Sequence, residues 1–467
     1  MHKKSLVALG LAAVVSLSIL IPSFADQQDS NPQDNKNKKP KDPIITKHVI
    51  KVDKSLNVPY DSKNKALFPD GLPIGLGSGM TIKSLKKNGD LELYFLTDRG
   101  PNADGPKYKD EAQEAKTILF PTPHFTPQIG TATVTKNGVI VNETITLKDA
   151  KGQDISGLPM EPGSVGSTNE VALSKNLEKL PFDKNGQDPE AIAVDKDGNF
   201  WIADEYGPFI TQFDSNGKQL KKYMPGDGLP STLKYRQPNR GFEALSITPN
   251  GKVYASVQST LDIKGKTKNT ASFIQIVELD PQTGKTKLFA YPHDVKAYKN
   301  SRDAKIGDMF AISNSKFVLI EQGKTKDKKM RNLLYLIDLK GATDISEMKV
   351  DGRELEYSDN LSKLKKFKPI KKKKIIDLRK HGWEAEKAEG LAVLPDKQTI
   401  FVLNDNDFGV SLDVKDDQVE KPDIEDYTLH ADGTLTYKGQ SADPTLTVVP
   451  NNEKTHLFSI KLPKPLK

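Results

Sequence analysis

Residues 191–194 and 200–203 are two short apolar runs, Ala-Ile-Ala-Val and Phe-Trp-Ile-Ala, on either side of a turn that holds Asp197-Gly198. Asp-Gly accepts positive φ and closes hairpins, so the stretch predicts two antiparallel strands. Each run carries carboxylates at its outer end: Glu190 before the first, Asp204 and Glu205 after the second. In an antiparallel hairpin these ends lie side by side, which gathers two or three carboxylates at one mouth of a sheet. Like charges that close raise each other's pKa unless a cation or a shared proton neutralises them.

The pattern of apolar run, turn, apolar run and polar end returns along the chain. Residues 242–247 lead through Asn250-Gly251 to 253–258; residues 308–312 lead to 317–323, 388–393 to 399–405, and 77–82 to 91–100. A sixth, weaker copy begins at Asn169. The polar ends are 15 residues apart from Glu190 to Glu205, 15 from Glu243 to Gln258 and 13 from Asp308 to Glu321. Hairpins that recur every ~50–80 residues are what propeller blades leave in a sequence. The expectation is an all-β chain folded as one six-bladed β-propeller over residues 44–467. Residues 44–52 read as a strand suited to closing the ring with the last blade, and residues 457–462 as a closing strand from the other terminus. Residues 111–116 read as a short helix, and 344–365 as polar with a partly helical pattern.

The first 43 residues do not fit the repeat. Lys3 and Lys4, an apolar stretch over 6–21 and Ser23-Phe24-Ala25 predict a secretory signal peptide, residues 1–25, cut before Asp26. Residues 26–43 are Gln, Asn, Asp, Lys and Pro with almost nothing to bury, which predicts a disordered polar linker. The mature protein is then expected to be secreted and extracellular, a monomer with no membrane span. The 467 residues include no cysteine, which excludes disulfides, a thiol nucleophile and thiolate zinc sites. Net charge is +7, or +5 once Lys3 and Lys4 leave with the leader. That mild excess points away from nucleic acid and is compatible with an anionic cell-wall polymer or a small anionic ligand.

Five motifs in order resemble the phytase-like domain family, whose members are labelled "esterase-like activity of phytase". They are Thr97-Asp-Arg-Gly-Pro-Asn102, Asp188-Pro-Glu-Ala-Ile-Ala193 with Trp201-Ile-Ala-Asp-Glu-Tyr-Gly-Pro208, Asn239-Arg-Gly-Phe-Glu-Ala-Leu245, Glu389-Gly-Leu-Ala392 and Asn404-Asp-Asn-Asp-Phe408. The resemblance runs from about residue 49 to 437. Ala191 and Ala244 stand where the family often has Gly after the Glu, while Gly390 keeps it.

In a propeller the first strand of each blade lines the central channel, so Glu170, Glu190, Glu243, Asp308 and Glu389 are expected near one mouth. Asp98, Asp204, Glu205, Glu321, Asp405 and Asp407 come from the neighbouring strand ends. Oxygen ligands without His or Cys suit a hard cation such as Ca²⁺. The expected metal set is Asp98, Glu190, Asp204, Glu205, Glu243, Glu321, Glu389 and Asp405; the alternative is that some of these pair with Arg99, Arg240 or Lys387. With a cation present, Glu190 and Glu243 are the candidate acid–base groups, and Arg99 and Arg240 the candidate holders of an anionic oxygen. The resemblance implies hydrolysis of a phosphoric or carboxylic ester. A calcium-dependent lactonase-like propeller and a non-catalytic wall-associated binding protein remain as alternatives. For the binding protein, the eight lysines within residues 363–374 are the candidate contact, although a solvated strand edge, where lysine discourages edge pairing, is the favoured explanation of the run. No Gly-x-Ser-x-Gly elbow or His-Glu-x-x-His helix is present.

Overall fold

A computed structural model describes residues 42–467, apart from 61–65, 88, 112–113, 359–360, 362–363 and 365. The expected signal peptide and the linker up to residue 41 lie outside the described residues. The strands assemble into four-stranded antiparallel blades. The first blade runs Gly79–Leu85, Leu91–Leu96, Gln128–Thr135, Gly138–Thr146. The second runs Pro189–Val194, Phe200–Asp204, Phe209–Phe213, Gln219–Pro225. The third runs Phe242–Ile247, Val253–Val257, Ile274–Leu279, Thr286–Tyr291. The fourth runs Lys305–Ala311, Lys316–Lys324, Met330–Asp338, Lys371–Asp377. The fifth runs Gly390–Val393, Thr399–Leu403, His456–Lys461 and, from the other end of the chain, Ile44–Val52.

The first strands of the blades touch in order and close on themselves: Gly79–Leu85 on Pro189–Val194, then Phe242–Ile247, Lys305–Ala311, Gly390–Val393 and back to Gly79–Leu85. The propeller therefore has five blades rather than six. The weak sixth copy forms the strand Glu170–Ser174, which pairs in parallel with Glu114–Phe120 in a satellite sheet. That partner strand also replaces the short helix expected at 111–116. Its Thr-Ile-Leu-Phe end is β-branched and apolar and finds pairing on two sides, from Glu170–Ser174 and Ala103–Asp104, which outweighs a weak local helical preference. Residues 344–365 include two short strands and a 3-10 turn at Leu355–Tyr357 in their described parts.

Ile44–Val52 closes the ring, as its sequence suggests. Its first six residues pair antiparallel with His456–Lys461, and its last three pair in parallel with the first blade. The inner strands are buried on both faces, so they read as continuous apolar runs rather than alternating ones. Where inner strands meet, side chains are small: a Cβ on Gly79 would already stand 3.1 Å from the Ala191 Cα. Alanine in place of glycine at 191 and 244 is accommodated, and both are fully buried.

A carboxylate channel at the centre of the ring

Glu190 and Glu243 each occupy a β-bulge. In the second blade Pro189 pairs with Asp204 and Ala191 with Ala203, leaving Glu190 unpaired. In the third, Phe242 pairs with Val257 and Ala244 with Ser256, leaving Glu243 unpaired. A bulge turns its extra residue off the sheet's alternation, here toward the ring axis. Glu389 enters just before its strand and donates its N–H to the Leu403 carbonyl at 3.0 Å. Carboxylate atoms of Glu190, Glu243 and Glu389 all lie within 4.8 Å of one another. Those of Asp188, Glu190 and Glu205 do the same, as do those of Asp98, Asp405 and Asp407.

The countercharges are unevenly placed. Lys387 Nζ reaches Asp405 at 2.9 Å and Asp407 at 2.8 Å, and stands 3.8 Å from Glu389. Arg99 donates its backbone N–H to Asp188 Oδ1 at 3.0 Å, while its guanidinium stands 3.6 Å from Asp188 and 3.5 Å from Glu170. Gln258 Nε2 donates to Glu205 at 2.6 Å and to Glu243 at 2.9 Å. Among the described residues no donor or cation comes within bonding distance of the Glu190 carboxylate, which is only 8% exposed. Burial first, then Glu243, Asp188, Glu205 and Glu389 around it, push its pKa well above the usual carboxylate range. Burial and the neighbouring Glu205 and Glu389 do the same to Glu243. Burial, with Asp188 beside it, raises Glu205 to about 8; burial, partly offset by Lys387, raises Glu389 to about 7.

These carboxylates also sit on the seams between blades. Gly241 N–H donates to the Glu205 carbonyl, Gln258 N–H to Gly241, and Ile306 N–H to Gln258, at 2.7–2.8 Å. The chain of bonds joins the second, third and fourth blades around the channel.

A family model labelled "Phytase-like: Esterase-like activity of phytase" matches residues 73–408. The chain belongs to the Phytase-like family. The matched stretch contains every residue of the three acidic groups and leaves outside it the two strands, Ile44–Val52 and His456–Lys461, that complete the fifth blade. An uncharacterised secreted protein of Arthroderma benhamiae is 26% identical over 241 residues, 42% of this chain; the match spans 46% of that relative, about half its length. Solved structures with similar folds include a virginiamycin B lyase from Staphylococcus aureus in complex with quinupristin, at 9% identity and TM-score 0.27, covering 90% of this chain and 99% of that one. A luciferin-regenerating enzyme matches at 11% identity and TM-score 0.30, covering 90% and 95%. At such scores the likeness decides nothing, and the propeller rests on the strand pairing above.

Within this Phytase-like fold the expected site residues divide into three sets. Glu190, Glu243, Glu389 and Glu205 converge in the channel, and Asp98 and Asp405 lie beside them under Lys387. Asp204 is turned onto the backbone: one oxygen accepts from Asp188 N–H at 3.2 Å and Tyr206 N–H at 2.9 Å, and the other is buried without a donor. Arg240 donates to the Arg302 carbonyl at 2.6 Å and forms no ion pair with the acids.

Glu321 and Asp308 are not in the set. Asp308 accepts from Met309 N–H at 2.7 Å and Leu391 N–H at 2.8 Å, pinning the fourth blade to the fifth. Glu321 pairs in register with Ile306, inside its strand rather than beyond its end. The 13-residue spacing from Asp308, two short of the other hairpins, is the reason. Fully buried, Glu321 accepts from Tyr291 at 2.6 Å and from Lys372 at 2.8 Å. Sequence reasoning also missed Asp188 and Gln258 as members of the channel. Both stand at the ends of the same hairpin pattern, which was the available signal.

Proposed function

We propose that this chain is a secreted hydrolase of small anionic esters that works with a bound hard cation, Ca²⁺ by preference, in the central channel. The observation that carries the reading is Glu190, a buried carboxylate without a counterion, faced by four others. Such a group holds a proton or a metal ion. The donors fit Ca²⁺ in kind: they are all oxygens, and the buried Gln258 Oε1 beside Glu205 and Glu243 has no donor of its own.

In this reading Glu190, Glu205, Glu243 and Glu389 hold the cation, which supplies Lewis acidity toward a phosphoryl or carbonyl oxygen. Arg99, kept in place by Asp188, offers its guanidinium to an anionic group of the substrate, with Arg240 at the periphery. With the cation bound beside it, Glu243 or Glu205 would be ionised and would take a proton from the attacking water. Asp405 and Asp407 hold Lys387 beside Glu389. An extracellular location fits the amino-terminal leader pattern and the secreted relative. Among the described residues no helix is long and apolar enough to cross a membrane. A lactonase-like reaction would use the same groups, with Asn404.

A wall-binding reading has one observation in its favour: Lys371, Lys373 and Lys374 are exposed on the outer strand of the fourth blade. Thermal unfolding of residues 26–467 in chelator and in rising Ca²⁺, followed by a screen of phosphate, carboxylate and lactone esters, tests the proposal. A calcium-dependent stabilisation with turnover of any ester class supports it. Stabilisation absent and all esters untouched sinks it. Salt-sensitive sedimentation with purified cell wall, lost on neutralising the three exposed lysines, would then identify a binding protein.

A further inference from the structure

We propose that a cavity on the outer edge of the third blade binds a small molecule that carries a primary ammonium group among hydroxyls, an amino sugar in chemical class. The cavity has a volume of about 440 Å³, inside the ~300–1,000 Å³ range of small-molecule sites. It shares no residue with the acidic groups of the channel, so the inference is independent of what the channel does.

Three segments build its walls. The two outer strands of the third blade, Ile274–Leu279 and Thr286–Tyr291, supply Gln275, Thr286 and Leu288. The 3-10 turn Ser231–Tyr235, which follows the second blade, supplies Ser231, Thr232 and Tyr235. Residues 345–356 close the third side. They are fastened to the blade by the Ile345 N–H, which donates to the Leu288 carbonyl at 2.8 Å, and by the Leu288 N–H, which donates to Ser346 Oγ at 3.0 Å.

Glu356 is the group that points to a ligand. It lines the cavity and is only 3% exposed. Gln275 Nε2 donates to one of its oxygens at 2.6 Å. Burial raises its pKa, its own backbone N–H and Gln275 offset part of that, and Glu354 adds to it; no cation among the described residues acts on it. The other buried acids away from the channel are compensated. Glu321 has Lys372, Glu278 has Lys252, and Asp149 and Asp308 each accept from two backbone N–H groups. A buried carboxylate at the wall of an open cavity, with no cation of its own, is a receptor for one.

The surroundings select the kind of cation. Glu356 belongs to none of the groups that gather three ligand atoms within 4.8 Å of one another, so a hard metal ion lacks its shell there. Ser231, Thr232 and Thr286 bring hydroxyls to the walls and Glu354 a further acceptor, which suits a hydroxylated molecule. Tyr235, half-buried, adds an apolar ring beside these polar groups. Lys234 and Lys349 are exposed members of the lining and repel a ligand with several positive charges, which favours a monoamine.

The test is the binding of glucosamine, glucose and N-acetylglucosamine to residues 26–467 in saturating Ca²⁺, read by calorimetry and by saturation-transfer NMR. Glucosamine should bind about tenfold or more tightly than either neutral sugar, the worth of one charge-assisted hydrogen bond. Glu356→Gln, which keeps an acceptor for Gln275 and removes the charge, should lose that preference. Ser231→Trp, a bulky side chain at an exposed position of the wall, should lose binding altogether. Glu190→Gln should bind glucosamine as the wild type does. No binding of glucosamine, equal binding of the three sugars, or an unchanged preference in Glu356→Gln overturns the inference. Loss of binding in Glu190→Gln places the amine in the channel and overturns it too. Should Glu356→Gln fail to fold, as judged by near-ultraviolet circular dichroism, Ser231→Trp decides: glucosamine bound as tightly as by the wild type overturns it.

Discussion

Glu190 shows how a single residue is set up by its backbone. Its neighbours on either side are paired across the hairpin and it is not, so the carboxylate leaves the blade and enters the channel. Because its charge is buried among like charges, Glu190→Gln relieves repulsion. In chelator this variant should melt at or above the wild type, while added Ca²⁺ raises the melting temperature of the wild type alone; ester turnover should fall roughly 100-fold or more. Differential scanning fluorimetry and a steady-state assay read both. Gly77 is constrained from the opposite direction. A Cβ there would run into the Asp405 backbone, so Gly77→Ala should cost about 1–3 kcal/mol in denaturant unfolding and disturb the Lys387 cluster with it. The acidic ends of the hairpins were legible as residues. Which of them share a ligand-sized space was not, because Glu205, Asp204 and Glu321 look alike as strand-end acids and differ only in register.

At the scale of elements, the lysine run divides. Lys371–Asp377 is the outer edge of the fourth blade, and Lys371, Lys373 and Lys374 face solvent there. Lys372 turns inward, packs over the rings of Tyr291 and Tyr335, and meets the fully buried Glu321. Removing Lys372 leaves the buried Glu321 charge with only the more distant Arg331, at 3.9 Å, to offset it. Lys372→Met should therefore cost about 3–5 kcal/mol, whereas Lys373→Met should stay within about 0.5 kcal/mol; chemical denaturation of the two variants checks the contrast. Similar chemistry at adjacent positions has opposite consequences because a strand alternates its faces. The strand Ile44–Val52 was recognisable as a closing strand from its apolar run alone, and it pairs with His456–Lys461 as expected. Its parallel contact with the first blade has no signature in the sequence, since it depends on where two distant blades end.

On the scale of the whole molecule, protonation acts in two directions: the channel carboxylates with raised pKa values favour the folded ring as pH falls, while His293 opposes it. This residue is buried near Glu321, with both ring nitrogens lacking a partner among the described residues. Burial lowers its pKa from 6.5 to about 4. Between those values the unfolded chain binds a proton that the folded chain refuses. The contribution is therefore intact above pH 6.5 and declines as pH falls toward 4, at no more than ~1.4 kcal/mol per pH unit. The melting temperature of His293→Asn relative to the wild type should rise from pH 7 to pH 4. By itself, the sequence determined the class of fold, the five strong hairpins, the strand that closes the ring and the acidic character of the channel, because short apolar runs and Asp-Gly or Asn-Gly turns are local signals. Only the tertiary structure decided that the blades number five, that Glu170–Ser174 pairs outside the ring, that Glu321 belongs to Lys372 and that Glu190 joins two triads. Those outcomes depend on strand register and on contacts between blades far apart in the chain, where a shift of two residues moves a carboxylate from the channel into the body of a blade.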